Sequence, residues 1–264
     1  MSGSIDAHII KAFSNDRAFA VLSDVHSNLE ALEAVLEDID KQNIRKIICL
    51  GDLVGYCASP KEVIDLAIKK FEFCIMGNHD YAVLNENIKG SNYNAVKSFE
   101  WTIKKLNGFF TSGKYLDYLA ERPYELNNKN FTFTHASPNY KINSKDISES
   151  FPYIHNLDEA KEVFDENFWI CFVGHTHKPG IFYNNRVLVP KEEEKYSLDQ
   201  KMIINSGSVG QPRDKDNRAC YVIVDEEHNS FSYRRVKYDY AKTGRKIISA
   251  GLPEVLATRL AKGE

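Results

Sequence analysis

The sequence lacks any apolar run long enough to cross a membrane. Its longest charge-free apolar stretches, residues 18–22 and 168–173, fall far short of the roughly 20 residues that a membrane-spanning helix needs. The first 16 residues also lack the continuous apolar segment and the small-residue cleavage site of a secretory signal. We therefore expect an N-terminal tail over residues 1–16, a single domain over residues 17–264, a cytoplasmic location and no membrane partner.

An excess of charge of one sign is also missing. The chain has 264 residues, with 34 basic against 37 acidic side chains and a formal net charge of −3. It lacks the broad positive field that holds nucleic acids, so nucleic acid is not an expected partner and a polyanionic substrate needs a local source of positive charge. The five cysteines form an odd set without C-x-x-C spacing, which favours reduced, buried thiols.

The first part of the chain alternates apolar strands with amphipathic helices. The spacing predicts strands over 17–23, 46–50 and 71–76, with helices over 29–39 and 60–70 between them. Ser27 or Asn28 is placed to cap the first helix, and Pro60 suits the first turn of the second. This order of elements is typical of right-handed crossovers in a mostly parallel sheet.

The later part of the chain is richer in strands. Helices are predicted over 94–106 and 114–120, strands over 131–134 and 169–173, and helical turns near 240–249 and 253–261. Five short alternating segments between residues 180 and 236 predict antiparallel hairpins that form a second sheet. The sequence thus predicts a parallel sheet followed by an antiparallel one.

Polar residues follow five of these strands directly. The intervals from residue 26 to 52 and from 52 to 78 are both 26 residues, which matches one strand plus one crossover helix. The carboxyl ends of parallel strands share one sheet edge, and in open α/β sheets that edge carries the ligand. We therefore expect these side chains to converge. They are Asp24, His26, Asp52, Asn78, His79, Asp80, His135, His175 and His177.

Each polar cluster alone has a simpler interpretation. A lone Asp or Asn after a strand is most often a helix cap, and a His-x-His pair sometimes only satisfies local hydrogen bonds. Core packing, however, gives no reason for two carboxylates, four imidazoles and an amide oxygen to converge, whereas metal coordination does. Seven such ligands exceed one tetrahedral site and suit two divalent ions that share a carboxylate, with Asp52 as the natural bridge. Two ions against two carboxylates leave a positive surplus that binds anions.

Taken together, the motifs resemble the calcineurin-like metallophosphoesterase superfamily. They are Asp24-x-His26, Gly51-Asp52, Gly77-Asn78-His79-Asp80, His135 and Gly174-His175-x-His177. The stretches GDLVGY at 51–56, GHTHKP at 174–179 and SGSVGQPRD at 206–214 are similar to those of its small bacterial and archaeal YfcE-like branch. The resemblance covers roughly residues 19–225. It implies an α/β fold, a four-layer αββα sandwich of two mixed β-sheets flanked by helices.

The resemblance also implies a reaction and a ligand set. A metal-bridging hydroxide attacks the phosphate ester, His79 protonates the leaving oxygen as general acid, and Asp80 either orients His79 or caps a helix. Manganese is the expected ion, with iron, zinc or nickel as alternatives. The implied ligands are Asp24, His26 and His177 for one ion, Asn78, His135 and His175 for the other, and Asp52 for both.

The expected substrate is a small phosphate ester. Phosphoprotein phosphatases and diadenosine tetraphosphatases of the superfamily carry an Arg shortly after Gly-Asp, where this chain has VGYC over residues 54–57. Without that Arg, small phosphodiesters are the favoured substrates, with phosphomonoesters as further ones and a phosphoprotein phosphatase as an alternative. Asn78, His79 and Arg213 are the expected substrate contacts, although Arg213 could instead pair with a carboxylate. Residues 206–210 either form an anion nest or a turn.

A scaffold is the alternative from another class. One eukaryotic trafficking subunit with this fold is similar in sequence but lacks the general-acid histidine and works by binding partners. Here His79 and all seven ligands are present, which favours an enzyme. A nuclease would need a basic groove or an accessory domain, and the sequence shows neither. Assembly into a homo-oligomer stays open at this stage.

Overall fold

The computed structural model describes residues 17–107, 113–139 and 147–264, and its strands form two sheets. The predicted tail over residues 1–16 lies outside the described residues. The strands are β1 (Ala18–Leu22), β2 (Lys46–Cys49), β3 (Phe73–Cys74), β4 (Glu125–Asn127), β5 (Phe131–Thr134), β6 (Ile170–Val173), β7 (Gly180–Tyr183), β8 (Arg186–Leu188), β9 (Lys195–Ser197), β10 (Met202–Asn205), β11 (Ala219–Asp225) and β12 (Ser230–Val236).

Helices connect and cover these strands. Asn28, one of the two predicted caps, accepts a hydrogen bond from Ala31 N at the start of the first helix, and Pro60 begins the second as predicted. The helices are α1 (Leu29–Lys41), α2 (Pro60–Lys70), α3 (Asn78–Asn85), α4 (Tyr93–Leu106), α5 (Lys114–Ala120), α6 (Ile147–Ser150), α7 (Leu157–Lys161), α8 (Tyr240–Ser249) and α9 (Glu254–Lys262).

Both sheets have six strands and mix parallel with antiparallel pairs. The first runs β3-β2-β1-β11-β12-β9, with β1 parallel to β2 and antiparallel to β11. The second runs β4-β5-β6-β10-β7-β8, with β6 parallel to both β5 and β10. The predicted α/β sandwich of two mixed sheets flanked by helices is therefore confirmed.

The central strands, such as β1, β6 and β10, are apolar on both faces because both faces are covered. In β1, Phe19 and Val21 pack in the cluster between the sheets, with Phe133 and Phe172 of the second sheet. The alternate residues Ala20 and Leu22 pack under the helices, with α1 and α2 side chains. On the far side of the second sheet, alternate residues of β6 and β10 pack with residues of the α7 segment. All five cysteines are buried and free, as predicted.

The predicted grouping of the late strands was wrong. They were expected to form the second sheet by themselves, but β11 and β12 extend the first sheet, with Phe19 opposite Val224. The second sheet instead begins with β4 and β5 and includes β10 as a parallel neighbour of β6. Local alternation predicts that a segment is a strand, but it does not determine its partner. The third predicted strand, over 71–76, was also too long, because only Phe73–Cys74 pairs as strand with β2.

Among the described residues, no helix combines the length and the apolar character that a membrane span requires.

Candidate metal centre

The predicted polar clusters meet where the carboxyl ends of five strands converge. Those of β1, β2 and β3 come from the first sheet, and those of β5 and β6 come from the second. The centre therefore lies at a shared edge of the two sheets, and the cores between and outside the sheets hold its loops in place. Eight of the nine predicted side chains are at most 5% exposed: Asp24, His26, Asp52, His79, Asp80, His135, His175 and His177.

The loops that carry these side chains have unusual backbone conformations. Asp24, His26 and Asp52 have φ values of 55°, 51° and 55°, and His175 and His177 have 65° and 61°. This left-handed region costs free energy for residues other than glycine, and residues held in it cluster at functional sites. The left-handed backbone turns each chain sharply after its strand. Five of the seven predicted ligands therefore sit on strained turns at the edge of rigid sheets.

One group of candidate ligands joins the loops after β1 and β6. Asp24 Oδ1 lies 3.3 Å from His177 Nε2 and 3.7 Å from His26 Nε2. The two imidazole nitrogens are 3.1 Å apart. Asp24 Oδ1 is buried and has no hydrogen-bond partner among the described residues. An anionic oxygen left in this state needs a cation, so Asp24, His26 and His177 fit a metal ion.

A second group surrounds Asp52. Its Oδ2 lies 3.4 Å from His135 Nε2 and 3.6 Å from His26 Nε2, so it stands between the two groups. Asn78 Oδ1 is 2.9 Å from His135 Nε2. Ligand atoms of Asp52, His135 and His175 lie within 4.8 Å of one another, as do those of His26, Asp52 and His79. Asp52 thus lies close to candidate ligands of both groups, as the prediction of a shared carboxylate expects.

Main-chain carbonyls fix the orientation of the four candidate imidazole ligands. A carbonyl oxygen only accepts, so the ring nitrogen beside it holds a proton, and in the neutral ring the other nitrogen carries the lone pair. This leaves Nε2 of three histidines and Nδ1 of the fourth as ligand atoms, which suits divalent ions bound by nitrogen and oxygen. The pairs are His26 Nδ1 with Val54 O at 3.2 Å, His135 Nδ1 with Leu50 O at 2.8 Å, His177 Nδ1 with Gln211 O at 2.6 Å and His175 Nε2 with Phe151 O at 3.0 Å.

The buried charges depend strongly on one another. Burial opposes ionisation of Asp52, but His135, His79 and His26 outweigh it and hold the pKa of Asp52 well below its usual value. Burial also disfavours the charged form of His135, yet Asp52 raises the pKa of His135 to about 9. A second proton on the His135 ring thus partly balances the negative charge of Asp52. Because a metal ion takes the place of such protons, its binding here releases them.

His79 differs from the four candidate ligands. Its main-chain N–H donates to Asp52 Oδ1 at 2.7 Å, but its Nδ1 is buried without a hydrogen-bond partner in the described structure. The ring touches Phe99 and Tyr56, with centroids 4.6 and 4.4 Å away. Burial, ahead of all other causes, holds the pKa of His79 well below its usual value. The residue lines a cavity together with Asn78, Tyr56, Tyr153 and His175.

Gly55 gives the His79 ring its space. Its φ is +92°, and a Cβ placed there would lie 2.3 Å from His79 Nδ1. If His79 is the general acid, as predicted from the sequence, Gly55→Ala should displace it and reduce turnover about 10²-fold, since a shift near 1 Å in a catalytic group costs that much. The bound metal should stay unchanged. Gly251→Ala is the matched control. Gly251 also has a positive φ, +73°, but a Cβ placed there would have no atom within 4 Å apart from its chain neighbours.

Equal turnover in the two glycine variants, measured on one phosphate ester at saturating metal, would contradict this account of Gly55. Thermal unfolding of both proteins separates the backbone strain, which they share, from the displacement of His79.

Asp80 contacts the main chain and not the His79 ring. Its Oδ2 accepts from Gly77 N at 3.2 Å at the start of α3, and its Oδ1 accepts from Val54 N at 3.1 Å. Burial, followed by the charge of Asp52, raises the pKa of Asp80 to about 7. Of the two roles predicted for Asp80, these contacts favour the helix cap. The carboxylate also ties the loop after β2 to α3, which holds Asp52 and His79 together.

Arg213 has no carboxylate partner within 4 Å in the described structure. Its Nη2 donates to Gln211 Oε1 at 2.9 Å and to Tyr56 Oη at 3.3 Å. Its charge lies near enough to the centre to help lower the pKa of His177, after burial. These contacts do not support the alternative of a salt bridge and leave the guanidinium beside the metal centre.

The segment after β10 is used for turn hydrogen bonds. Val209 N and Gly210 N donate to the carbonyls of Ser23 and Asp24, at 2.9 and 2.8 Å. Ser208 Oγ also donates to Asp24 O at 2.9 Å. Of the two interpretations given for residues 206–210, the contacts favour the turn, which supports the strained conformation after β1.

Sequence reasoning missed several residues around the centre. Tyr153 stacks on His175, with centroids 3.8 Å apart, and Gln211 supplies the carbonyl that orients His177. Gly55, Tyr56 and Gln211 were included in family-like stretches but given no role. A lone tyrosine in a loop carries no sequence pattern that marks it, so only the fold reveals Tyr153.

Comparisons with known proteins agree with this architecture. A sequence model of the calcineurin-like phosphoesterase superfamily domain matches residues 18–229. An uncharacterised protein of Methanocaldococcus jannaschii is 40% identical over 247 residues, which cover 92% of this chain and 97% of that protein. The crystal structure of a metallophosphoesterase from Sphaerobacter thermophilus is 34% identical and has a TM-score of 0.81, with 95% of this chain and 100% of that chain covered.

Two further solved structures are similar to this chain, to different degrees. A hypothetical protein from Pyrococcus horikoshii has a TM-score of 0.74 at 20% identity, with 94% of this chain and 98% of that chain covered. The YfcE phosphoesterase of E. coli is also similar, at 16% identity, a TM-score of 0.40, and coverage of 83% of this chain and 100% of that chain. The enzyme class predicted from the motifs, a metal-dependent hydrolase of phosphoric esters, is confirmed by the family match and by the Sphaerobacter relative. The chain belongs to the calcineurin-like phosphoesterase superfamily.

Proposed function

We propose that the protein hydrolyses small phosphodiesters and phosphomonoesters with two divalent metal ions and with His79 as general acid. The observation that carries the proposal is that buried nitrogen and oxygen ligand atoms converge around Asp52. Beside them lies His79, which no main-chain carbonyl orients in the described structure. Two divalent ions in such a site neutralise phosphate charge and activate water. Manganese is our first choice for both ions, with iron, zinc or nickel as alternatives.

The two groups of side chains assign the ligands. In this proposal Asp24, His26 and His177 hold one ion, and Asp52 is shared by both. The strained turns and the carbonyl partners keep these atoms in place before any ion arrives, so little reorganisation is needed on binding. The second ion takes Asn78, His135 and His175.

His79 is the proton donor to the leaving oxygen. Its Nδ1 faces Gly55, so Nε2 is the nitrogen that can hold a proton towards the cavity. The donor is the imidazolium form, and because burial holds the pKa of His79 well below its usual value, this form is a minor but strongly acidic species at neutral pH. Asn78 lines the same cavity and can hold a phosphate oxygen through its amide N–H.

Arg213 provides the extra cation that a dianionic monoester requires. A diester carries one charge less and depends less on such a contact. We expect Arg213→Ala to reduce kcat/KM for p-nitrophenyl phosphate about 10- to 100-fold, the size of a hydrogen bond to a charged group, and for bis-p-nitrophenyl phosphate no more than about threefold.

The experiment compares both esters at fixed manganese. Arg245→Ala is the control, since Arg245 is exposed on α8. A wild-type monoester preference of tenfold or more that collapses in Arg213→Ala would show that the diester assignment is mistaken. An equal loss of kcat/KM for both esters would show that Arg213 does not supply a contact specific to the monoester. Wild-type protein that binds no metal and cleaves neither ester would favour a scaffold over an enzyme.

A further inference from the structure

One tyrosine lies close both to the metal centre and to two arginines. The Tyr56 ring centroid lies 4.7 Å from that of His26 and 4.4 Å from that of His79. Two guanidinium groups lie near the same ring, Arg213 at 5.7 Å and Arg259 at 5.6 Å from the centroid. We call Tyr56, Gln211, Arg213 and Arg259 the Tyr56 cluster. It adjoins the metal centre but contributes none of its candidate ligands.

The two arginines of the cluster lack side-chain carboxylate partners. No Asp or Glu side-chain oxygen pairs with either of them within 4 Å among the described residues, whereas Arg259 Nε donates to the main-chain oxygen of Glu264 at 2.7 Å and is also influenced by the charge of Glu264. Other partly buried arginines are paired with acidic side chains, for example Arg218 with Asp216 at 2.7 Å and Arg234 with Asp38 at 3.0 Å. Two guanidinium groups near one ring repel each other, and an anion bound between them removes that repulsion.

The cluster also contains donors without acceptors. Gln211 is fully buried, and its Nε2 has no hydrogen-bond partner in the described structure. Arg213 Nε is buried in the same state. A buried donor without a partner costs about 1–3 kcal/mol, so such donors are kept where a ligand or water satisfies them. The bonds that these groups do make leave the cluster rich in donors and poor in acceptors.

The two arginines lie at different depths. The main-chain N–H of Arg213 donates to His177 O at 3.2 Å, and its Nη2 donates to Gln211, the residue whose carbonyl orients His177. Arg259 has no such contact with a candidate ligand in the described structure and instead donates to Glu264 O at 2.7 Å. The order outward from the imidazoles is therefore Arg213 and then Arg259.

Arg259 also lies beyond the residues that the family's domain model matches. The family match ends at residue 229, whereas Arg259 lies on α9, Glu254–Lys262. We propose that Arg259, with Arg213 and Tyr56, binds a second phosphate group of the substrate, next to the phosphate at the metal centre. This inference rests on the proposed function and narrows its substrates to phosphate esters that carry two phosphate groups.

The test measures binding and not turnover. Non-hydrolysable probes are titrated by calorimetry into metal-loaded protein that has been freed of excess ion. The probes are methylphosphonate, with one anionic group, and methylene-, ethylene- and propylenediphosphonate, with two. At least one diphosphonate should bind wild-type protein tenfold or more tightly than methylphosphonate. In Arg259→Gln this gain should fall below threefold, while the affinity for methylphosphonate changes less than twofold.

Two further variants complete the design. Arg245→Gln removes an exposed arginine of α8 and should keep the full gain. Arg259→Lys keeps the charge and should keep part of the gain, which serves as the readout if Arg259→Gln does not fold. The proposal is overturned if no diphosphonate binds wild-type protein tenfold more tightly than methylphosphonate, or if Arg245→Gln loses this gain in affinity as Arg259→Gln does. It is also overturned if Arg259→Gln leaves the gain unchanged, or if Arg259→Lys does so where Arg259→Gln does not fold. Binding is independent of catalysis, so failure to cleave any ester contradicts the proposed function without deciding this inference.

Discussion

Asp52→Asn is expected to reduce the bound metal from two ions per chain to fewer than one. Asp52 Oδ2 lies between His26 and His135, 3.6 and 3.4 Å from their Nε2 atoms, so its charge serves both ions. Asparagine keeps the shape and can still accept from His79 N through its amide oxygen. Its second position is then an amide N–H₂, which cannot bind a cation. We expect at least about a 10²-fold loss of affinity, because removal of an outer partner alone costs 10- to 100-fold.

The measurement is elemental analysis after equilibration with manganese and removal of free ion. Asp80→Asn is the matched control: it also replaces a fully buried carboxylate, but that carboxylate contacts main-chain N–H groups and no candidate ligand nitrogen. Asp80→Asn should retain both ions even if it unfolds at a lower temperature. Two ions in Asp52→Asn, or a loss of metal from both variants alike, would show that Asp52 is not the shared ligand.

His79→Ala is expected to keep both metal ions and to lose about 10² to 10⁴ in turnover on alkyl phosphate esters, the range for a positioned general acid. The contact from residue 79 to Asp52 is made by the main-chain N–H, so the substitution leaves it in place. Aryl esters such as p-nitrophenyl phosphate have a leaving group that needs no proton and should lose much less. The ratio of the alkyl loss to the aryl loss therefore reports proton donation.

His228→Ala is a suitable comparison, since His228 is exposed and paired with Asp225 at 2.7 Å. It should leave kinetics on both ester types unchanged. If His79→Ala loses metal, the imidazole is a ligand, as its closeness to His26 and Asp52 would then explain. If alkyl and aryl esters lose turnover equally, His79 acts by some means other than proton donation.

Much of the framework could be predicted because it depends on local pattern. The apolar runs of β1, β2, β5 and β6 are short and end in polar residues, and covered sheets require such runs. The repeat of 26 residues placed Asp52 and Asn78 correctly relative to His26, since each crossover has similar length. The pairing of β11 with β1 could not be predicted in this way, because it depends on which sheet edge is open once the earlier strands have folded.

The geometry of the centre was less predictable than its members. Nothing in the residue types shows that His175 presents Nδ1 while His177 presents Nε2, because the carbonyls of Phe151 and Gln211 decide this. The strained turns at Asp24 and His26 are equally invisible, since neither residue type favours positive φ enough to indicate it. The approach of Arg259 to Tyr56 requires the packing of α9, which no motif describes.

The most direct test of the account is a crystal structure of the manganese-loaded protein, with the ions located by anomalous scattering at the manganese edge. The account predicts two peaks about 3.5 to 4 Å apart, the usual spacing in two-metal sites, with a carboxylate oxygen of Asp52 bound to both. One peak should be bound by Asp24, His26 and His177, and the other by Asn78, His135 and His175. A single peak, or a pair in which His79 replaces one of these ligands, would contradict it.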